Sequence, residues 1–64
     1  MQEIIAQRKK KGVTQKALAS ILGVTQGAVS QWESGLSRPD IKYLIQMAAY
    51  FECSVDQLLQ GVVA

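Results

Sequence analysis

The residues with most to offer chemically lie between Gln15 and Ser34, in the stretch QKALASILGVTQGAVSQWES. On a helical wheel Gln26, Gly27, Ser30, Gln31 and Ser34 share one arc roughly 140° wide. Thr25, Ala28, Val29 and Trp32 take the opposite side. The first arc is polar but uncharged, where an ordinary solvated helix face usually carries Lys and Glu. Carboxamides and hydroxyls both donate and accept, and a Gln side chain can pair in bidentate fashion with N6 and N7 of adenine. Such a face suits the edges of bases in a groove. A plain polar surface accounts for any one Gln, but poorly for the whole set.

Other chemistry is scarce. The chain has no His and one Cys, so a serine–histidine triad, a structural zinc site and a disulfide framework are excluded within it. The carboxylates do not cluster, and no metal, cofactor or enzymatic role is expected. A lone thiol is what a reducing cytoplasm permits. No apolar run approaches the ~18 residues needed to cross a bilayer, and no signal-peptide core is visible, so no membrane role is expected. The 64 residues read as one domain, 1–64. A chain of this size buries only about 60% of its unfolded surface, which demands a well-patterned core. Its 48% apolar content, 19% charge and net charge of +2 suit a small binding module and only weakly point to a polyanionic partner.

The elements that must position these residues are short helices punctuated by Gly and Pro. The first is predicted over about Gln2–Lys11, with cations in its last turn and Gly12 to end it. Thr14 caps a second through about Leu22, whose apolar residues Ala17, Leu18, Ala19, Ile21 and Leu22 form one broad face. Gly23 makes the turn. Thr25 caps a third through about Ser34, stopped by Gly35, and Leu36–Pro39 is a loop. A fourth, about Asp40–Phe51, is predicted to bury Ile41, Leu44, Ile45, Ala48 and Phe51. Ser54 and Gln57 form an S-x-x-Q capping box opening a last helix, with Val55, Leu58 and Leu59 turned inward. No stretch alternates as a strand would. The expectation is an all-α, compact five-helix domain.

Two helices joined by a short Gly-containing turn, residues 15–34, form the helix-turn-helix pattern. Ala19 supplies the small side chain that a steep crossing needs, and Gly23 accepts a positive φ without strain. Val24, Val29 and Trp32 lock the second helix of the pair onto the first. The chain resembles the lambda-repressor-like, Cro-type (XRE-type) helix-turn-helix family. The resemblance covers nearly all of it: Arg8, the VTQ-x-x-LA opening at Val13–Ala19, LGVTQGAVSQWESG from Leu22 to Gly35, Pro39, and the YFECSVDQLLQG ending. It implies a five-helix DNA-binding domain whose third helix enters the major groove, usually as a symmetric dimer on a pseudo-palindromic operator.

By that resemblance Gln15 hydrogen-bonds a DNA phosphate at the N-terminus of the second helix. Gln26 and Gln31 match the principal base-reading positions. Ser30 faces the same groove, and Thr25 caps the third helix while lying near the backbone. Gly27 departs from the long polar side chain frequent at its base-reading position, which leaves one base contact in doubt and costs up to about 1 kcal/mol of helix propensity. Glu33 lies at the edge of the buried arc, where a lone carboxylate is expensive. Relatives pair the matching Arg and Glu, so Arg8 and Glu33 are expected to form a structural ion pair. Gln7 stands where Leu is frequent, shifting the packing of the first helix toward Ile4 and Ile5.

Lys16, Arg38 and Lys42 are the expected phosphate contacts, from their places beside Gln15, in the loop after the third helix and one turn into the fourth. The run Arg8–Lys11 more simply complements its helix dipole. Trp32 reads as core rather than a stacking platform, and Tyr43, Tyr50, Phe51 and Met47 as packing. Cys53 reads as a small buried hydrophobe. Leu58, Leu59, Val62 and Val63 motivate a symmetric homodimer contact, unless the two leucines finish the core. The function expected is a cytoplasmic, sequence-specific, double-stranded DNA-binding transcriptional regulator, a repressor, with no catalysis. An antitoxin or adaptor-type protein-interaction module on the same fold is the alternative. Sixty-four residues look like the full domain, with any sensor domain lying outside it.

Overall fold

A computed structural model describes residues 1–60. Among them the chain forms five α-helices and no strand: α1 Gln2–Lys11, α2 Gln15–Leu22, α3 Gln26–Ser34, α4 Ile41–Phe51 and α5 Val55–Leu58. The boundaries follow local chemistry. The Thr14 hydroxyl accepts from the Ala17 N–H at 3.0 Å, Thr25 from Ala28 at 3.1 Å and Ser54 from Gln57 at 3.0 Å. Each thereby satisfies one donor that a helix start leaves without an intrahelical partner. At Ser54 only half of the predicted capping box forms. The Gln57 carboxamide turns away to Glu3 Oε1, 3.5 Å distant, so that α5 is tied to α1 instead.

The ends of α1 to α4 are set by left-handed residues. Gly23 closes α2 with φ of 73°, and its N–H together with that of Val24 caps carbonyls of the last turn. Helix α4 ends at Phe51 as its pattern predicts, but the residue that closes it carries no signal of doing so: Glu52 takes φ of 58° there, a conformation ordinarily left to Gly or Asn.

The core joins all five helices through Ile4, Leu18, Leu22, Val29, Trp32, Leu44, Met47, Phe51 and Leu58. Within it α2 packs most closely on α3, while α1 spans α3, α4 and α5. Ala19 is buried at the α2 side of this core, and Trp32 is covered by Tyr43 with ring centroids 5.6 Å apart. Three readings of the core need correction. Ile41 and Ile45 are 63% and 57% exposed, because Leu44, Met47, Ala48 and Phe51 define the buried stripe and the two isoleucines lie toward its flank. Ile21 and Leu59 are also left partly outside the core, 49% and 37% exposed. Gln7 is buried, with its amide donating to Glu3 Oε1 at 3.2 Å, so a polar side chain fills the place that packing would give to Leu.

Two left-handed positions give opposite expectations. Nothing lies within 4 Å of a Cβ built on Gly23, so Gly23→Ala meets no clash and only the backbone resists. It should lower stability by about 1–2 kcal/mol in urea denaturation, whereas Glu52→Gly should leave stability unchanged or slightly raised.

Candidate nucleic-acid interface

Helix α3 divides its surface in two. Val29, Trp32 and Glu33 are buried, while Gln26, Gly27, Ser30, Gln31 and Ser34 are all exposed. The uncharged stripe read from the wheel is therefore a real surface, held by a helix whose other side is fixed in the core. Thr25, at the head of α3, is exposed with its hydroxyl engaged in capping. Gly27 has an ordinary helical backbone, and a Cβ there would meet nothing nearer than the Thr25 Oγ1 at 3.8 Å. The fold itself leaves room for a side chain at this point.

The far end of the stripe has a contact that the sequence did not disclose. Ser37, in the loop after α3, donates its hydroxyl to Gln31 Oε1 at 3.4 Å. The Gln31 backbone carbonyl accepts in turn from the N–H groups of Gly35 and Leu36, at 3.1 and 3.0 Å. One residue thus closes the helix with its main chain and presents its carboxamide at the surface. A six-residue separation across a helix end carries no periodic signal, which is why Ser37 went unread.

Orientation of α3 rests on a buried carboxylate. Glu33 is only 7% exposed, and Arg8 of α1 grips it with both sides of the guanidinium fork, Nε to Oε2 at 2.7 Å and Nη2 to Oε1 at 3.1 Å. The Arg8 Nη1 donates to the Val13 carbonyl at 3.0 Å, tying down the connection to α2 as well. Such charge-assisted, two-pronged contacts are stronger and more directional than neutral ones. Gln15 completes the group with its Nε2 donating to Glu33 Oε1 at 3.0 Å. Its carboxamide thus turns inward, and the residue is half-buried at the head of α2. The Met1 α-amino group donates to the carbonyls of Trp32 and Glu33.

These contacts decide the protonation of the pair. Burial pushes the Glu33 carboxyl up, but the hydrogen bonds from Arg8 and Gln15 and the nearby positive charges outweigh it, leaving the group below its ordinary 4.5. The Arg8 guanidinium is held still more firmly protonated by its bond to Glu33. Among the described residues every buried side-chain nitrogen and oxygen has a hydrogen-bond partner.

The cations lie off the stripe. Lys16, Arg38 and Lys42 are all exposed, on α2, the α3–α4 loop and α4. The Lys42 ammonium sits 4.9 Å from the Tyr43 ring centroid. Lys11 is directed elsewhere, donating to the Tyr50 carbonyl at 2.9 Å and lying over that ring at 4.6 Å, where it complements the C-terminal end of α4. Cys53 is half-buried against the core. Burial raises its pKa, with Glu3 adding to the rise and Lys10 opposing it, so its thiolate is disfavoured. Leu58, one of the residues considered for a dimer contact, is completely buried and finishes the core instead. Val62 and Val63 lie outside the described residues.

Known proteins resemble this chain in sequence and fold. Residues 4–58 match the helix-turn-helix family. Repressor protein C2 of Salmonella phage P22 is 38% identical over 60 residues, which is 94% of this chain and 28% of that protein. The crystal structure of the P22 c2 repressor in complex with a synthetic operator superposes with a TM-score of 0.86 at 38% identity, covering 94% of this chain and 91% of that one. The N-terminal DNA-binding domain of SinR from Bacillus subtilis gives a TM-score of 0.82 at 33% identity, covering 98% and 93%. The chain spans about a quarter to a half of the length of the curated relatives it matches.

The ion pair yields a prediction with a definite sign. Arg8→Met strands a buried carboxylate and should cost about 3 kcal/mol at neutral pH. A carboxyl held below its ordinary pKa contributes stability above that value and loses it as pH falls through the folded one. The gap between parent and variant, followed by denaturation at a series of pH values, should therefore begin to close above pH 4.5, where burial makes the stranded Glu33 of the variant take up a proton, and vanish only as pH falls through the lowered value of the parent.

Proposed function

The chain belongs to the lambda-repressor-like, Cro-type helix-turn-helix family, and from that premise we propose that it is a sequence-specific DNA-binding transcriptional repressor. The observation that carries this reading is the exposed, uncharged stripe of α3, with the exposed cations Lys16, Arg38 and Lys42 carried on other elements and not on the stripe itself. Phosphate contacts from these cations, Gln15 and Thr25 set the register of the domain on the duplex. Gln26, Ser30 and Gln31 read base edges in the major groove, and Gly27 lets the helix backbone come close there. Arg8 and Glu33 touch no DNA and act by holding α3 at its angle. The site of action is the cytoplasm. No helix among the described residues is long and apolar enough to cross a membrane.

The protein acts as a homodimer on a pseudo-palindromic operator, each copy filling one half-site. Support for self-association comes from Leu36, Ile41 and Ile45, which are 80%, 63% and 57% exposed at and beyond the end of the recognition helix. Apolar side chains in such exposure favour burial against a second copy. In sedimentation across a concentration series the parent should pass from monomer to dimer, and Ile45→Glu should shift that transition to higher concentration without lowering the melting temperature. A parent that stays monomeric at high micromolar concentration would contradict the dimer.

Selection of bound duplexes from a random pool tests the reading as a whole. A palindromic consensus supports it, and absence of enrichment favours a protein-interaction module on this fold. With a consensus in hand, Gln31→Ala should relax preference at one operator position by about 1–3 kcal/mol. Lys16→Met should instead weaken binding on all sequences and flatten the salt dependence by about 0.9 in log–log slope. Equal loss on every sequence for Gln31→Ala would refute its role as a reader.

A further inference from the structure

Gln15 is the one proposed DNA-contacting residue that also enters the buried network. It opens α2, and its Nε2 donates to Glu33 Oε1 at 3.0 Å, the oxygen that also accepts from Arg8 Nη2 at 3.1 Å. Arg8 alone already gives each Glu33 oxygen a strong donor, with Nε on Oε2 at 2.7 Å. The ion pair therefore survives without Gln15, and the third bond adds little to folding. What it adds is geometry. A carboxamide nitrogen carries two hydrogens, and with one on Glu33 the side chain is fixed in direction at the helix start, beside the outward N–H groups of the first turn of α2.

We propose that Gln15 is a positioning residue, coupling the phosphate register of α2 to the base-reading pose of α3 through its hydrogen bond to Glu33. The proposal rests on the DNA-binding reading above and specifies how one part of that site works. The bond makes the two helix ends move as one unit: a phosphate held at the head of α2 fixes where Glu33, and with it the stripe of Gln26, Ser30 and Gln31, meets the bases. Without the bond each helix keeps its contacts but loses their mutual alignment. Such a loss falls on the correct sequence, where alignment matters, and spares incorrect sequences, which are held by phosphates alone.

The test uses the whole chain, the Gln15→Met variant, a duplex selected from a random pool and a scrambled duplex of equal composition. Gln15→Met removes its own phosphate contact from both duplexes, so it should weaken the scrambled one about threefold and the selected one about tenfold more than that, with the melting temperature within a few degrees of the parent. Equal loss on both duplexes would make Gln15 a plain backbone contact, and no loss on either would make the bond one of folding only. Each result overturns the proposal. If the parent itself prefers no duplex, the DNA-reading assignment fails and takes this one with it. NMR of the parent examines the anchor apart from DNA: the Gln15 side-chain amide signals should shift as Glu33 takes up its proton, and signals indifferent to that titration would overturn the proposal even in a chain that reads DNA.

Discussion

One buried carboxylate governs the geometry of this molecule. Glu33 is covered to within 7% of full burial near the C-terminal end of α3, and an unpartnered charge there would be intolerable. Its partners come from two other helices, Arg8 from α1 and Gln15 from α2. Three elements are thereby aligned on a single side chain. An apolar cluster of the same volume could match the pair in stability, since much of the attraction offsets desolvation. Apolar contacts lack the directionality of a forked guanidinium on two oxygens, however. The pair fixes an angle, and the angle sets where the exposed stripe of α3 points.

That stripe is organised against the charges, not with them. Seven cations and five carboxylates leave a net charge of only +2. Placement does more than the total. Residues 25–32 carry no charge, so a duplex approaching α3 meets donors and acceptors whose direction matters. Gly27 belongs to the same argument. Its backbone is helical, a Cβ would meet nothing closer than 3.8 Å, and Gly lowers helix propensity by up to about 1 kcal/mol. The packing of the domain therefore does not require glycine at this position.

Much of the architecture was legible because its determinants are local. Thr14, Thr25 and Ser54 cap helices by bonds three residues long, and Gly23 ends α2 through its own φ. The polar stripe of α3 is likewise a matter of period. Legibility fails where the determinant is tertiary. Ile41 and Ile45 are as hydrophobic as Leu44, and only the contacts of α4 decide which of them face inward. Gln57 was expected to cap its own helix and instead reaches Glu3, 54 residues away. Glu52 adopts a left-handed conformation that its residue type does not advertise. Gln15 was placed at the head of α2, but its bond to Glu33 crosses 18 residues and has no signature in spacing.

Size makes the division of α3 necessary. A domain of this length has a net stability of roughly 3–10 kcal/mol, so few residues can be withheld from the core. Val29 and Trp32 place α3 firmly inside it, while five other positions on the same helix are exposed. Those five are therefore free to change with little effect on folding, whereas Val29, Trp32 and Glu33 are not. A helix so divided lets its ligand preference vary without the scaffold being rebuilt. The constraint that remains is angular, and it passes through Glu33.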